Sequence, residues 1–223
     1  MLIIPLGRKG SEGIPVLTLF VCVACLILQV FTTTPGDRLA LAFHPDQLDP
    51  LKMFTSVFTH ADIWHLLGNL FFFYCFARTI EARFSIAGFV LAFVVFVLVT
   101  NLSYAASADE PIPTLGLSGV VWGFMGMFLF RYPKDHIECW VVFLNKIELP
   151  AALFILAFLT LDIVAYRHTE VAAVNYVAHF SGFAAGALFK MAFWNTFTTE
   201  KPEPRKKVSY ASRLAHSRAA RRY

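Results

Sequence analysis

Ser118, His179, His65 and Asn69 stand among apolar neighbours, and together they hold the parts of an acyl-transfer site. A hydroxyl serves as nucleophile, an imidazole as the base that takes its proton, and carboxamide or N–H groups as donors to an oxyanion. His65 and Asn69 are four residues apart, so on a helix they share a face. Gly116, Gly119, Gly123 and Gly126 surround and follow Ser118, while Gly182 and Gly186 follow His179. Such small faces let helices approach closely, as a direct Ser–His hydrogen bond between two helices requires. Singly, Ser118 reads as a small packing residue and His179 as a tie between helices; jointly the four residues point to chemistry.

Composition names the elements that must position these groups. Of 223 residues 57% are apolar and 15% charged, against about 45–50% and 25% in soluble domains. Nine of the 34 charged residues follow Glu200, and the chain carries 24 Phe. With a mean hydropathy of +0.61, the main solvent is lipid, which excludes a soluble enzyme, a disordered chain and a nucleic-acid module. A bilayer core of ~30 Å takes ~20 helical residues. Six stretches qualify, at 14–31, 63–82, 84–108, 114–130, 147–166 and 171–194. The expected fold is an all-α polytopic membrane protein of six transmembrane helices with a short fourth helix. Residues 14–195 form the membrane domain, between an N-terminal segment 1–13 and a basic tail 196–223. Arg8 and Lys9 before the first stretch suit a signal peptide, but without a convincing cleavage site it reads as a retained span. Cys22 and Cys25 in that span read as packing, and neither metal nor cofactor is expected.

Lys and Arg orient the bundle. With the amino terminus in the cytoplasm, 16 of the 19 fall on that side, leaving Arg38, Lys52 and Arg167 outside. The positive-inside rule then puts both termini in the cytoplasm, and a short N-terminus with compact loops suits the plasma membrane of a bacterium, its inner membrane. The net charge of +4 thereby reads as topology, with the tail touching anionic lipid and no nucleic acid. Outside lies a long first loop, 32–62, whose Pro35, Pro45 and Pro50 suit an interfacial path, and a short loop at 109–113.

Depth brings the polar residues together. At 1.5 Å of rise per residue, Ser118 lies thirteen residues and roughly 20 Å from Arg131. By the same count His179 lies roughly 17 Å from Lys190, and Asn69 roughly 18 Å from Glu81. Only thirteen residues separate Ser118 from Arg131, so this helix starts inside the membrane and puts Ser118 near a helix N-terminus that favours an oxyanion. Asp162, with Arg167 and the interface close by, reads as structural or cavity-facing.

At these residues the sequence resembles the rhomboid family of intramembrane serine proteases. Gly116-Leu117-Ser118-Gly119 matches the family's G-x-S-G. His65-Leu66-Leu67-Gly68-Asn69 matches its H-x-x-x-N, with His60 at an additional upstream histidine position. Ala178-His179-Phe180-Ser181-Gly182 with Gly186 matches A-H-x-x-G-x-x-x-G, and Glu81-Ala82-Arg83 resembles the E-x-R where the second helix meets the cytoplasm. The resemblance implies Ser118 as nucleophile and His179 as base, a dyad without an obvious acidic third member. It implies His65, Asn69 and the Ser118 backbone N–H as the oxyanion hole, and Trp122 as an aromatic face where many members carry Tyr. His60, Glu81 and Arg83 are expected to be structural. Leu51-Lys52 departs from the family's usual Trp-Arg pair in the first loop.

The reading that follows is an endopeptidase acting through an acyl-enzyme on transmembrane segments of other proteins. Its alternative is a non-catalytic relative that binds such segments, although such relatives usually lack the Ser or the His. A channel or transporter predicts repeated halves, and the sequence has no convincing internal repeat.

Overall fold

In the computed structural model, residues 3–8, 13–108, 110–141, 146–168 and 174–200 are described. The basic tail from Lys201 onward, Asp109 in the short loop, and residues 171–173 at the expected start of the sixth span lie outside them. The elements run β1 (Ile3–Arg8), α1 (Val16–Phe31), α2 (Pro35–Leu41), α3 (Pro50–Phe58), α4 (Ile63–Glu81), α5 (Ile86–Ser107), α6 (Ser118–Arg131), β2 (His136–Val141), β3 (Lys146–Pro150), α7 (Ala151–His168) and α8 (Tyr176–Phe197). Among the described residues, six long helices fall within the six apolar stretches or overlap them. Among them α5 and α7 are long and apolar enough to cross a membrane by length and composition alone. The helices that carry the polar groups, α4 and α8, dilute their apolar character with them.

The first loop is folded. Pro35 and Pro50 act as helix starts, because proline fits the first turn, where its missing N–H costs nothing. Thr34 accepts from the Asp37 N–H while Asp37 accepts from the Thr34 N–H, a reciprocal cap on α2. Asp49 caps α3 by accepting from the N–H groups of Leu51 and Lys52. Arg38 donates to the carbonyls of Thr32 and Ala61, and the Lys52 ammonium donates to Ala40, so this pair of cations ties the loop to itself and to the start of α4. Asn101 on α5 donates to the carbonyl of Met53, anchoring α3 to the bundle.

A three-stranded antiparallel sheet, ordered β1-β2-β3, joins residues near the start of the chain to the α6–α7 connection. Ile4 pairs with Trp140, and Glu138 with Glu148. Because Lys146–Pro150 is a strand, the fifth long helix begins at Ala151, four residues later than the apolar stretch suggested. Pro150 favours that boundary, since the residue before a proline is pushed toward extended backbone.

The centre of the bundle is α6, whose residues from Gly119 to Phe128 are all buried. Phe124 and Phe128 meet Phe96 and Phe76 edge to face, at centroid separations of 5.3 Å in both pairs. Against α8 the packing is backbone on backbone. A Cβ at Gly182 would collide with the carbonyl oxygen of Gly119, one at Gly186 with that of Gly123, and one at Gly126 with that of Phe183. Lipid is as apolar as the helix surface, so this contact rests on van der Waals packing.

At the opposite end from Ser118, Glu81 on α4 receives the N-terminus of α1. Its carboxylate accepts from the N–H groups of Leu17 and Thr18 at 2.8 Å each, and from the Thr18 hydroxyl at 2.6 Å, where the helix dipole favours negative charge. Nearby, Arg83 and Arg131 both pair with Glu200, which also accepts from the Tyr132 hydroxyl.

Gly186→Leu is expected to destabilise the folded protein by at least about 1–3 kcal/mol through overpacking. Gly68→Ala, where an added Cβ meets nothing within 4 Å, should leave the melting temperature in detergent unchanged or raise it. Equal melting of the two variants would contradict this packing. Glu81→Ala leaves the first turn of α1 uncapped, and a loss of about 0.5–2 kcal/mol is expected in the same assay.

Candidate active site

Ser118 is the first residue of α6, and the first intrahelical bond there is donated by Val121 to the Leu117 carbonyl. The N–H groups of Ser118, Gly119 and Val120 therefore have no intrahelical partner, and they point out of the helix start with its dipole. The strand-like approach to this point is held residue by residue. Thr114 exchanges two backbone hydrogen bonds with Phe43, the Gly116 N–H donates to Ser56, and the Leu117 N–H donates to His60 Nε2 at 3.4 Å. His60 is fully buried. Burial, and then the neighbouring His65, push its imidazole down to about 3, so it stays neutral and keeps a lone pair for Leu117. This places His60 between the first loop and the approach to α6.

Gly116 takes φ +116°, and a Cβ there would lie 2.8 Å from His65 Cε1 and 3.8 Å from Asn69 Nδ2. Glycine is thus required both by its backbone conformation and by the closeness of α4. The Asn69 amide donates to the His65 carbonyl at 3.0 Å and has a second hydrogen to give.

Asn175 starts α8 by accepting from the Ala178 N–H, and its amide donates to the Thr114 hydroxyl, so the starts of α6 and α8 are tied together. In the first turn of α8, His179 sets Nε2 at 2.8 Å from Ser118 Oγ. Its Nδ1 lies 2.6 Å from Asp162 Oδ2 on α7. The His179 ring, 8% exposed, lies between Trp122, at a centroid distance of 5.8 Å, and Tyr176, at 6.0 Å edge-on. Ser118, His179, His65, Asn69, Trp122 and Asp162 all line one cavity of about 560 Å³.

The structure thus gathers Ser118, His179, His65, Asn69 and Trp122 around one space, with Gly116, Gly119, Gly182 and Gly186 at the contacts that permit it. Glu81 and Arg83 lie at the far end of α4. Two neighbours of the site, Asn175 and Tyr176, were not singled out from the sequence, and Asp162, read there as structural or cavity-facing, lines the cavity. Asn175 carried the signal of a helix-capping type just before an apolar run. Asp162 carried a subtler one, sharing a face with Phe154 and Phe158 at spacings of four, and both of those side chains pack inward against Phe72. Its partner is His179 rather than Arg167.

Chemically, the arrangement offers a hydroxyl bonded to an imidazole, a carboxylate behind that imidazole, and several N–H donors beside the hydroxyl. A family model of the Rhomboid domain matches residues 47–196. The chain is also 25% identical, over 190 residues, to proteins named rhomboid protease GlpG from Salmonella choleraesuis, Salmonella paratyphi A and Salmonella typhi. The similarity covers 82% of this chain and 64% of each relative, so the chain spans somewhat under two thirds of their length. With the domain matched across the helices that build this cavity, the chain belongs to the rhomboid family.

Proposed function

We propose that this chain is an intramembrane serine endopeptidase that cleaves peptide bonds in or near the transmembrane segments of other membrane proteins, through a Ser118–His179 pair. The observation that carries this reading is the 2.8 Å contact from Ser118 Oγ to His179 Nε2, made at a helix start that opens into a cavity with room for a peptide backbone.

In the acylation step Ser118 Oγ forms a bond to the scissile carbonyl carbon as its proton passes to His179 Nε2, and the carbonyl π pair moves to oxygen. The Ser118 N–H and the free hydrogen of the Asn69 amide, with the His65 ring beside them, hold that oxyanion. The pair then collapses back, the C–N bond breaks, and the imidazolium gives its proton to the departing amine. Water repeats the sequence: its oxygen bonds to the acyl carbon as His179 takes its proton, the acyl–oxygen bond to Ser118 breaks as the imidazolium returns that proton to Oγ, and the carboxylic product leaves.

The Lys and Arg distribution supports both termini in the cytoplasm, and the location that goes with this reading is a bacterial inner membrane, crossed several times. Residues 14–195 then form the membrane domain, and the basic tail meets anionic lipid. Ser118 opens towards the outer face in this orientation, so substrates are cut near that side.

Reconstituted in liposomes with a single-span substrate, the protein should cleave it. Ser118→Ala should reduce the rate by about 10³-fold or more, and Asn69→Ala by about 10²–10³-fold. Cleavage that persists in Ser118→Ala would overturn the reading. Binding of the substrate without cleavage, and without labelling of Ser118 by a fluorophosphonate, would assign the chain to the non-catalytic binders instead.

A further inference from the structure

We infer that Asp162 is a positioning residue for His179, making the site a Ser118–His179–Asp162 triad. The inference rests on the reading of Ser118 and His179 given above and deepens it.

The argument is one of proton inventory. An ionised carboxylate only accepts hydrogen bonds. With Asp162 Oδ2 at 2.6 Å, His179 Nδ1 must therefore carry the hydrogen when the imidazole is neutral. That leaves the lone pair on Nε2, the nitrogen 2.8 Å from Ser118 Oγ. Neutral imidazole has two tautomers, and only this one can take the Ser118 proton. Asp162 selects it. When His179 becomes an imidazolium, the same carboxylate stabilises the charge at a short, charge-assisted distance. No proton moves to Asp162 in either step.

Position supports a working role over incidental packing. The contact joins α7 to α8 near the end of α7 remote from its buried residues, which are Ala151, Phe154 and Ile155. A carboxylate is costly in an apolar helix. Here its side chain is 21% exposed, against 10% for that of His179, because it borders the cavity that holds Ser118. An interhelical tie needs only a polar pair; a carboxylate aimed at Nδ1, with a serine at Nε2, is what base catalysis asks for.

The test compares the full chain in liposomes with Asp162→Asn and Asp162→Ala, alongside Ser118→Ala. Both Asp162 variants should retain substrate KM while kcat falls by about 10²–10⁴-fold, and labelling of Ser118 by a fluorophosphonate should slow in parallel. Equal kcat in wild type and folded variants would overturn the role of Asp162. Independently of any Asp162 variant, ¹⁵N-histidine spectra of the wild-type protein should show His179, assigned by its loss in His179→Gln, with a strongly deshielded hydrogen on Nδ1 and a bare Nε2. The opposite tautomer would also overturn the inference. Loss of cleavage in Ser118→Ala with no effect at Asp162 removes the triad and leaves the endopeptidase reading standing; cleavage persisting in Ser118→Ala removes the reading itself.

Discussion

Between Gly119 and Gly182, and again between Gly123 and Gly186, α6 and α8 come so close that one added methyl group would meet a peptide carbonyl. Ser118 immediately precedes the first of these glycines, and His179 lies three residues before its partner. The contact that holds the helices together is therefore the contact that sets the distance from hydroxyl to imidazole. Thr100 on α5 packs at the same point, 2.9 Å from where a Gly119 Cβ would sit and 3.2 Å from a Gly182 Cβ. Three helices thus fix the pair at once, α6 and α8 through their backbones and α5 through the Thr100 side chain.

A helix that starts in the middle of a bundle brings a liability with it, since its first N–H groups have no carbonyl to meet and lipid offers none. The structure answers by surrounding the start of α6 with polar ties. Phe43, Ser56 and His60 hold the approaching chain from the first loop, and Asn175 holds it from α8. The groups left over at Ser118, Gly119 and Val120 face the cavity, where an oxyanion would satisfy them. The folding of the first loop into α2 and α3 is part of this arrangement, because it presents Phe43 and Ser56 at the right height.

Much of this was legible in the sequence. Depth counting put Ser118, His179 and Asn69 at one level from three charged residues: Arg131 ends α6 and Glu81 ends α4, while Lys190 lies seven residues before the end of α8. Asp162 fell outside that count for a specific reason. Measured from 147, where the apolar stretch begins, it sits roughly 22 Å along the span and close to the interface. Measured from Ala151, where α7 begins, it sits roughly 17 Å along, and its contact with Nδ1 puts it beside His179. The four residues of difference belong to β3, a strand whose partners lie in β2 and, through it, in residues 3–8. β3 itself pairs with β2 across only 6 to 14 residues, and its apolar residues merged with those of α7 into one stretch. The first loop shows the reverse case: Pro35 and Pro50 were visible as breaks in the pattern, yet with Thr34 and Asp49 before them they were the start signals of helices.

The central claim is that the Ser118 hydroxyl is made nucleophilic by His179, and peptide mass mapping after fluorophosphonate treatment in liposomes tests it most directly. The adduct should lie on Ser118, and it should be absent when His179 is replaced by Asn under the same conditions. An adduct on another residue, or one formed on Ser118 at an undiminished rate without His179, would contradict the account.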